Sequence, residues 1–234
     1  MTDLANIRLF ATHPHSCSYL EDEEATTIFV DPKQPVDAAL YSTLSERGFR
    51  RSGAHLYRPH CKSCNACVPA RVPANHFSRN RKQRKCWNRN RDLLINSTRQ
   101  QTDEHYQLYA KYIEMRHSDG DMYPPTREQF DSFLTTEWDV TEFLEFRLEG
   151  RLIAVAVCDQ MKSGYSAVYT YFDPCYERRS LGVFAILWQI ELCKQLGLNS
   201  LYLGYWIKQC QKMSYKTEYR PLELLTDNRW VRIS

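Results

Sequence analysis

The chain lacks any apolar run approaching the roughly 20 residues of a membrane-spanning helix, so no membrane partner is expected. Met1 to Phe10 carries neither the basic opening nor the apolar core of an export signal, which points to a cytoplasmic protein. There is no internal repeat and no low-complexity tract, and that excludes a solenoid or a long biased segment. Acidic residues are missing from one long stretch. Between Arg47 and Arg91 there is no Asp or Glu, while thirteen Lys or Arg fall there. The remainder carries 18 basic against 28 acidic residues and is net acidic, although the formal charge of the whole is only +3. Such asymmetry points to a polyanionic partner, nucleic acid above all, the plainer alternative being a solvated basic face.

Nine cysteines are present, an odd number. Without an export signal they argue against a disulfide framework and for free thiols or metal ligands. Cys61, Cys64 and Cys67, three apart, put thiolates within one tight loop, which suits zinc or an iron–sulfur cluster. Cys17 or His60 would be the fourth ligand, and simple reduced thiols are the alternative. Cys86, Cys158, Cys175, Cys193 and Cys210 show no such spacing.

The length suffices for a sizeable core, and the pattern suggests two lobes, residues 1–100 and 101–234. In the first, Val36, Leu40 and Leu44 stand at helical spacing before Gly48. The basic stretch from Ser78 to Leu93 contains no Pro or Gly and predicts a helix capped by Ser78. Helices from Asp103 to about His117 and from Thr126 to about Leu134 follow. The pattern then changes to a hairpin, Phe143 to Leu148 and Leu152 to Val157, joined by Glu149-Gly150. Ser166 to Phe172 reads as a third strand, ended by Asp173-Pro174. Ser180 reads as the cap of a buried helix to Gln195, closed by Gly197, and Leu201 to Tyr205 as a further strand. This order predicts an α/β (α+β) fold: a mixed sheet flanked by helices, with a smaller N-terminal α/β lobe carrying the Cys-rich loop. In topology it resembles the N-acetyltransferase-like superfamily.

Members of that superfamily that use acyl-CoA carry a loop Arg/Gln-x-x-Gly-x-Gly/Ala, whose backbone amides approach a pyrophosphate. The matching place here reads Arg179-Ser-Leu-Gly182-Val-Phe184. Phe184 stands where a residue with almost no side chain is wanted for close backbone approach. That argues for an acyl donor other than CoA. A donor that is itself a polyanion, such as aminoacyl-tRNA, accounts for this departure and for the basic segment together. Lys208, Lys212 and Lys216, four apart, would add a basic stripe on a helix.

The runs Tyr169-Thr-Tyr171-Phe-Asp173-Pro174, Ser180-Leu-Gly182, Tyr202-Leu-Gly204-Tyr205-Trp206-Ile207 and Lys212-Met213-Ser-Tyr215-Lys216 resemble the C-terminal signature of the arginyl-tRNA–protein transferase family. Arg50-Arg51-Ser52-Gly53, Tyr57-Arg58-Pro59 and the stretch Phe77 to Leu93 resemble its N-terminal half. The compact length and the Cys-x2-Cys-x2-Cys run are similar to its bacterial branch, the aspartate/glutamate leucyltransferases. The resemblance implies transfer of Leu from leucyl-tRNA to proteins beginning with Asp or Glu, marking them for degradation in an N-degron pathway. The eukaryotic arginyl enzymes have Cys-Gly-Tyr-Cys near their start, whereas this chain reads Cys17-Ser-Tyr-Leu20.

The implied reaction is attack by a protein α-amine on an ester carbonyl. An α-amine with a pKa of about 8 is partly deprotonated at neutral pH, so no cofactor and no strong base are required. Asp173, Tyr171 and Tyr205 are the catalytic candidates. Arginine matches a carboxylate with its planar fork, so Arg50, Arg51, Arg58 and Arg81, with Tyr57, are candidates for holding the acidic acceptor. Lys82, Arg84, Lys85, Arg89 and Arg91, with the three lysines near the end, are candidates for tRNA phosphates. Alternatives are arginyl transfer by the same mechanism, a CoA-dependent N-acetyltransferase, and a non-enzymatic zinc-knuckle RNA-binding protein.

Overall fold

The computed structural model describes residues 7–233; residues 1–6, the front of the stretch scanned for an export signal, and residue 234 lie outside the described residues. Strands β1 (Leu9–Ala11), β4 (Thr27–Val30), β5 (Arg50–Ser52) and β6 (His55–Pro59) form an antiparallel sheet in the order β1-β4-β6-β5. A short ladder of β2 (His15–Ser16) and β3 (Glu24–Ala25) lies within it in sequence. Helix α1 (Ala38–Glu46) starts where the Asp37 carboxylate accepts the Leu40 N–H. Its Leu40, Tyr41 and Leu44 pack inward against Val30, Phe49 and Leu56. Gly48, at φ +84°, turns the chain into β5.

The large sheet collects β7 (Val68–Pro73), β8 (Leu94–Thr98), β9 (Thr141–Leu148), β10 (Arg151–Gln160), β11 (Gly164–Phe172), β12 (Ser200–Trp206), β13 (Leu222–Thr226) and β14 (Arg229–Ile233). Their order is β14-β13-β7-β12-β11-β10-β9-β8, with only β11 and β12 parallel. Strands from both sides of residue 100 therefore share one sheet. The Glu149-Gly150 and Asp227-Asn228 turns hold both residues at positive φ, which matches the twist of a tight hairpin.

Alternation along β10 divides the core. Ala154, Ala156 and Cys158 face α2 (Arg81–Arg89) and α5 (Leu181–Gln195). Val155 and Val157 face α3 (Asp103–Arg116) and α4 (Arg127–Leu134). Both faces are buried, so the strand reads as a continuous apolar run. The fold is thus the expected mixed sheet flanked by helices. No described helix is long and apolar enough to cross a membrane.

Two caps differ from expectation. Helix α2 starts at Asn80, not Ser78, in a capping box with Gln83, because Asn80 and Gln83 satisfy two free N–H groups reciprocally. Ser180 precedes α5, but it sits in the left-handed region (φ 55°) and its hydroxyl caps nothing. The segment with Lys212 and Lys216 is a 3-10 helix, Gln211–Glu218, not an α-helix. Residues four apart do not align at three per turn, and the expected stripe breaks: Lys208 and Lys212 are exposed while Lys216 is buried.

Candidate active site

The parallel pairing of β11 and β12 lasts for three residues, Gly164↔Ser200, Tyr165↔Leu201 and Ser166↔Tyr202. Beyond it β11 stays with β10 and β12 with β7, so a gap opens between them. Arg50 enters that gap from β5. Its Nη1 donates to Ser166 Oγ at 2.9 Å and its Nη2 to the Ala167 carbonyl at 2.6 Å. Gly204 lies opposite at φ +81°, in a bulge of β12 against β7. A Cβ there would stand 3.2 Å from Arg50 Cζ, so the position needs glycine both for its backbone and for its clearance.

Tyr205 follows. Its hydroxyl donates to the Gly48 carbonyl at 2.8 Å and to the Tyr57 carbonyl at 3.3 Å, joining the two sheets beside the gap. Burial pushes its phenol far above the usual range, so it stays protonated and acts as a donor. Lys216 donates to the Tyr205 backbone carbonyl. Arg51, adjacent to Arg50 in sequence, points the other way, as alternation along a strand requires. It is held by Asp159 through Nε at 2.5 Å and Nη2 at 2.7 Å, both side chains being at most 1% exposed. Thr141 and Tyr41 also donate to Asp159. Arg51 is thus committed to a buried pair and faces no substrate.

The catalytic trio expected from the sequence is not brought together. Tyr171 is fully buried among Tyr109, Phe130 and Tyr169. Asp173 lies seven residues beyond Ser166, about 23 Å along an extended strand. It is 1% exposed, accepts the Cys175 N–H at 3.0 Å, and is paired with Lys111 Nζ at 2.7 Å and Arg151 Nη2 at 3.0 Å. Burial opposes its ionisation, but the hydrogen bonds from Lys111 and Cys175 outweigh that and lower its pKa. A carboxyl lowered on folding stabilises the fold fully above its unfolded value of about 4, and that contribution is lost as pH falls through the lower folded value. Asp173→Asn is therefore expected to melt lower than the parent at pH 7. The difference should vanish in acid, as pH-dependent thermal melts would read.

Arg58 is half-buried, donates to the Arg47 carbonyl at 3.0 Å, and lines a cavity of about 570 Å³ beside Tyr205. Cys17, Cys61, Cys64 and Cys67 line the same cavity, as does His60. Burial pushes the Cys67 thiol up to about 11, with Cys61, Cys17, Cys64 and Cys210 adding to the rise. The thiols are of the right chemistry for a soft metal and face one cavity. As placed, however, no three His, Cys, Asp or Glu among the described residues stand close enough to hold a metal ion, so their spacing does not fit one.

Helix α2 turns Gln83, Cys86 and Asn90 inward and exposes Arg81, Lys82, Arg84, Lys85 and Arg89. Arg81 thus joins the basic helix face and not the gap. None of Arg81, Lys82, Arg84, Lys85 and the nearby Arg91 has a carboxylate partner among the described residues. The far end of α2 covers the loop before α5. Asn90 and Arg89 donate to the Arg179 and Arg178 carbonyls, and Arg179 pairs with Asp92 at 2.8 Å. Phe184 itself points into the core against Trp87 and Phe146. The loop that would meet a pyrophosphate is therefore covered by the end of α2, and Phe184 packs on Trp87 of the same helix. Neither the pairing of Lys111 with Asp173 nor the burial of Lys216 leaves a local signal in the sequence.

Residues 15–85 match the family described as arginine-tRNA-protein transferase, N terminus, and residues 104–226 match arginine-tRNA-protein transferase, C terminus. The chain is 59% identical over 235 residues to an aspartate/glutamate leucyltransferase of Pseudomonas entomophila (strain L48), covering 100% of each. It is 58% identical over 232 residues to that of Pseudomonas fluorescens (strain Pf0-1), covering 99% of each. Among solved structures, L-PGS from Bacillus licheniformis matches at 16% identity and a TM-score of 0.46, over 71% of this chain and 58% of that one.

Proposed function

The chain belongs to the arginine-tRNA-protein transferase family, and on that premise we propose that it transfers leucine from leucyl-tRNA to the α-amine of proteins beginning with Asp or Glu. The observation that carries this reading is the 59% identity, end to end, to relatives named for that activity. In the reaction the α-amine nitrogen bonds to the ester carbonyl carbon and the carbon–oxygen bond to the ribose breaks. The amine's proton ends on the released ribose hydroxyl. The ester is already activated, so transfer itself needs no cofactor, and positioning supplies the rate.

In this reading the gap between β11 and β12 is the reaction centre. Arg50 and Arg58 face the acidic acceptor, Tyr57 and Tyr205 shape the wall between the sheets, and the exposed face of α2 carries tRNA phosphates, with Lys208 and Lys212 as further contacts. Asp173 acts at a distance, by fixing the turn after β11. Arg50, Arg58 and the cations of α2 come from residues 1–100, while β11 and β12, which flank the gap, come from residues 101–234. The setting is the cytoplasm, where N-degron substrates are met.

The test supplies tRNA charged with labelled Leu or Arg, together with peptides starting in Asp, Glu or Ala. Label is expected on Asp and Glu peptides from leucyl-tRNA alone. No leucine on either would overturn the proposal, and arginine in its place would move the chain to the other branch of the family. The phosphate role has a separate readout. Lys82→Ala with Lys85→Ala is expected to weaken leucyl-tRNA binding and to reduce the slope of log K against log salt by about 2, since each phosphate contact contributes about 1.

A further inference from the structure

Two cations meet the backbone of β12 at consecutive residues. The Arg50 guanidinium lies against Gly204, and Lys216 Nζ donates to the carbonyl of Tyr205. The two charges are close enough to act on each other, since the Arg50 charge disfavours the ammonium of Lys216. Lys216 is 6% exposed. Among the described residues neither cation faces a carboxylate: Arg50 donates to a hydroxyl and a carbonyl, and Lys216 to a carbonyl. The other deeply placed guanidinium groups are neutralised, Arg51 by Asp159 and Arg71 by Glu46 and Glu223. Burying an ammonium without a counter-charge costs several kcal/mol, and a like charge beside it adds to that cost. An arrangement of this kind becomes favourable when an anion enters.

We propose that Lys216 and Arg50 together receive the side-chain carboxylate of the acceptor's first residue, with Lys216 as a specificity-determining residue. This rests on the leucyl-transfer reading above. It removes Lys216 from the set of tRNA contacts, where its burial could not serve. The charges are complementary: the site offers an ammonium and a guanidinium to a group that is one carboxylate.

A proton accompanies the binding. Burial, and then the Arg50 charge, lower Lys216 to about 7, while Cys210 opposes the shift. The other titratable group beside it is Tyr215, whose ring centre is 5.7 Å from Nζ, and Tyr205 presents only its carbonyl. An entering carboxylate restores the charged form, so above pH 7 the acceptor binds with proton uptake. Its affinity falls as pH rises through the lowered pKa.

The test compares peptides beginning in Asp and in the isosteric Asn, with the wild type, Lys216→Met and Lys216→Arg. Lys216→Met is expected to lower the Asp-over-Asn ratio of kcat/KM at least 10-fold, whereas Lys216→Arg keeps most of the preference. The Asp-over-Asn ratio of kcat/KM should fall between pH 7 and 9 in the wild type and stay flat in Lys216→Arg, because the acceptor's own α-amine titrates alike in both peptides. A preference unchanged in Lys216→Met would overturn the inference. So would an equal loss of kcat in both variants with the ratio intact, which would mark Lys216 as the proton acceptor. If Lys216→Met does not fold, the pH dependence of the Asp-over-Asn ratio in Lys216→Arg decides alone: a fall equal to the wild type's overturns the proposal. Wild-type protein that leucylates neither peptide would sink the functional reading itself, a result distinct from transfer without Asp preference.

Discussion

Replacing Arg51 by Met is expected to destabilise the fold by about 3–5 kcal/mol, because it leaves the Asp159 carboxylate buried and unpaired. For a chain of this length that corresponds to a fall in Tm of roughly 6–20 °C. Two hydroxyls, from Tyr41 and Thr141, would still reach Asp159, but hydroxyls do not neutralise it. Arg51 also donates to the Leu134 carbonyl at 3.1 Å and the Phe133 carbonyl at 3.3 Å. It therefore ties β5, the end of α4 and β10 together. Arg51→Lys keeps the charge but cannot span both carboxylate oxygens and the carbonyls, so an intermediate loss is expected. The double variant Arg51→Met with Asp159→Asn should recover part of the loss, since the cost lies in the orphaned charge. Thermal or denaturant melts read all three. A single variant within 1 kcal/mol of the parent would show that the pair does not hold the sheets together.

The second large effect is on activity. Arg50→Ala is expected to reduce kcat/KM for an Asp-initiated peptide by about 10²-fold or more, the usual scale for truncating a buried charged contact. Two functions are lost together. The fork that bridges Ser166 and Ala167 across the gap disappears, and so does one of the two cations facing it. Arg50→Lys separates them, because it retains the charge and loses the fork. If recognition of charge dominates, Arg50→Lys should retain most of the Asp-over-Asn preference. If bracing of β11 and β12 dominates, both variants should lose kcat with either peptide. Steady-state kinetics with leucyl-tRNA, beside a melt that confirms folding, distinguishes the outcomes. An Arg50→Ala enzyme with unchanged kcat/KM would remove the gap from consideration as the reaction centre.

Much of this architecture is legible in the amino-acid sequence. The hairpin of β9 and β10, strand β11 and helix α5 follow from periodicity and turn residues, which are properties of neighbours in sequence. The basic block and the family-like runs were likewise visible, and the family matches agree with them. The exposed face of α2 follows from the same logic, since residues three or four apart share a side.

What sequence alone determined about this protein is therefore its local elements, its charge layout and its family. Tertiary structure decided which charged residue does what. Arg50 and Arg51 are adjacent, and alternation says only that they face opposite ways; the packing of β5 sends Arg50 into the gap and Arg51 to Asp159. Strand β7 lies between β12 and β13, residues more than a hundred positions away, a pairing that no local pattern records. The lysine spacing suggested one basic stripe on a helix, whereas in the 3-10 segment Gln211–Glu218 Lys216 is buried. The physical reason is common to these cases. Periodicity reports which side of an element is apolar, but the partner of a charge depends on contacts between distant segments.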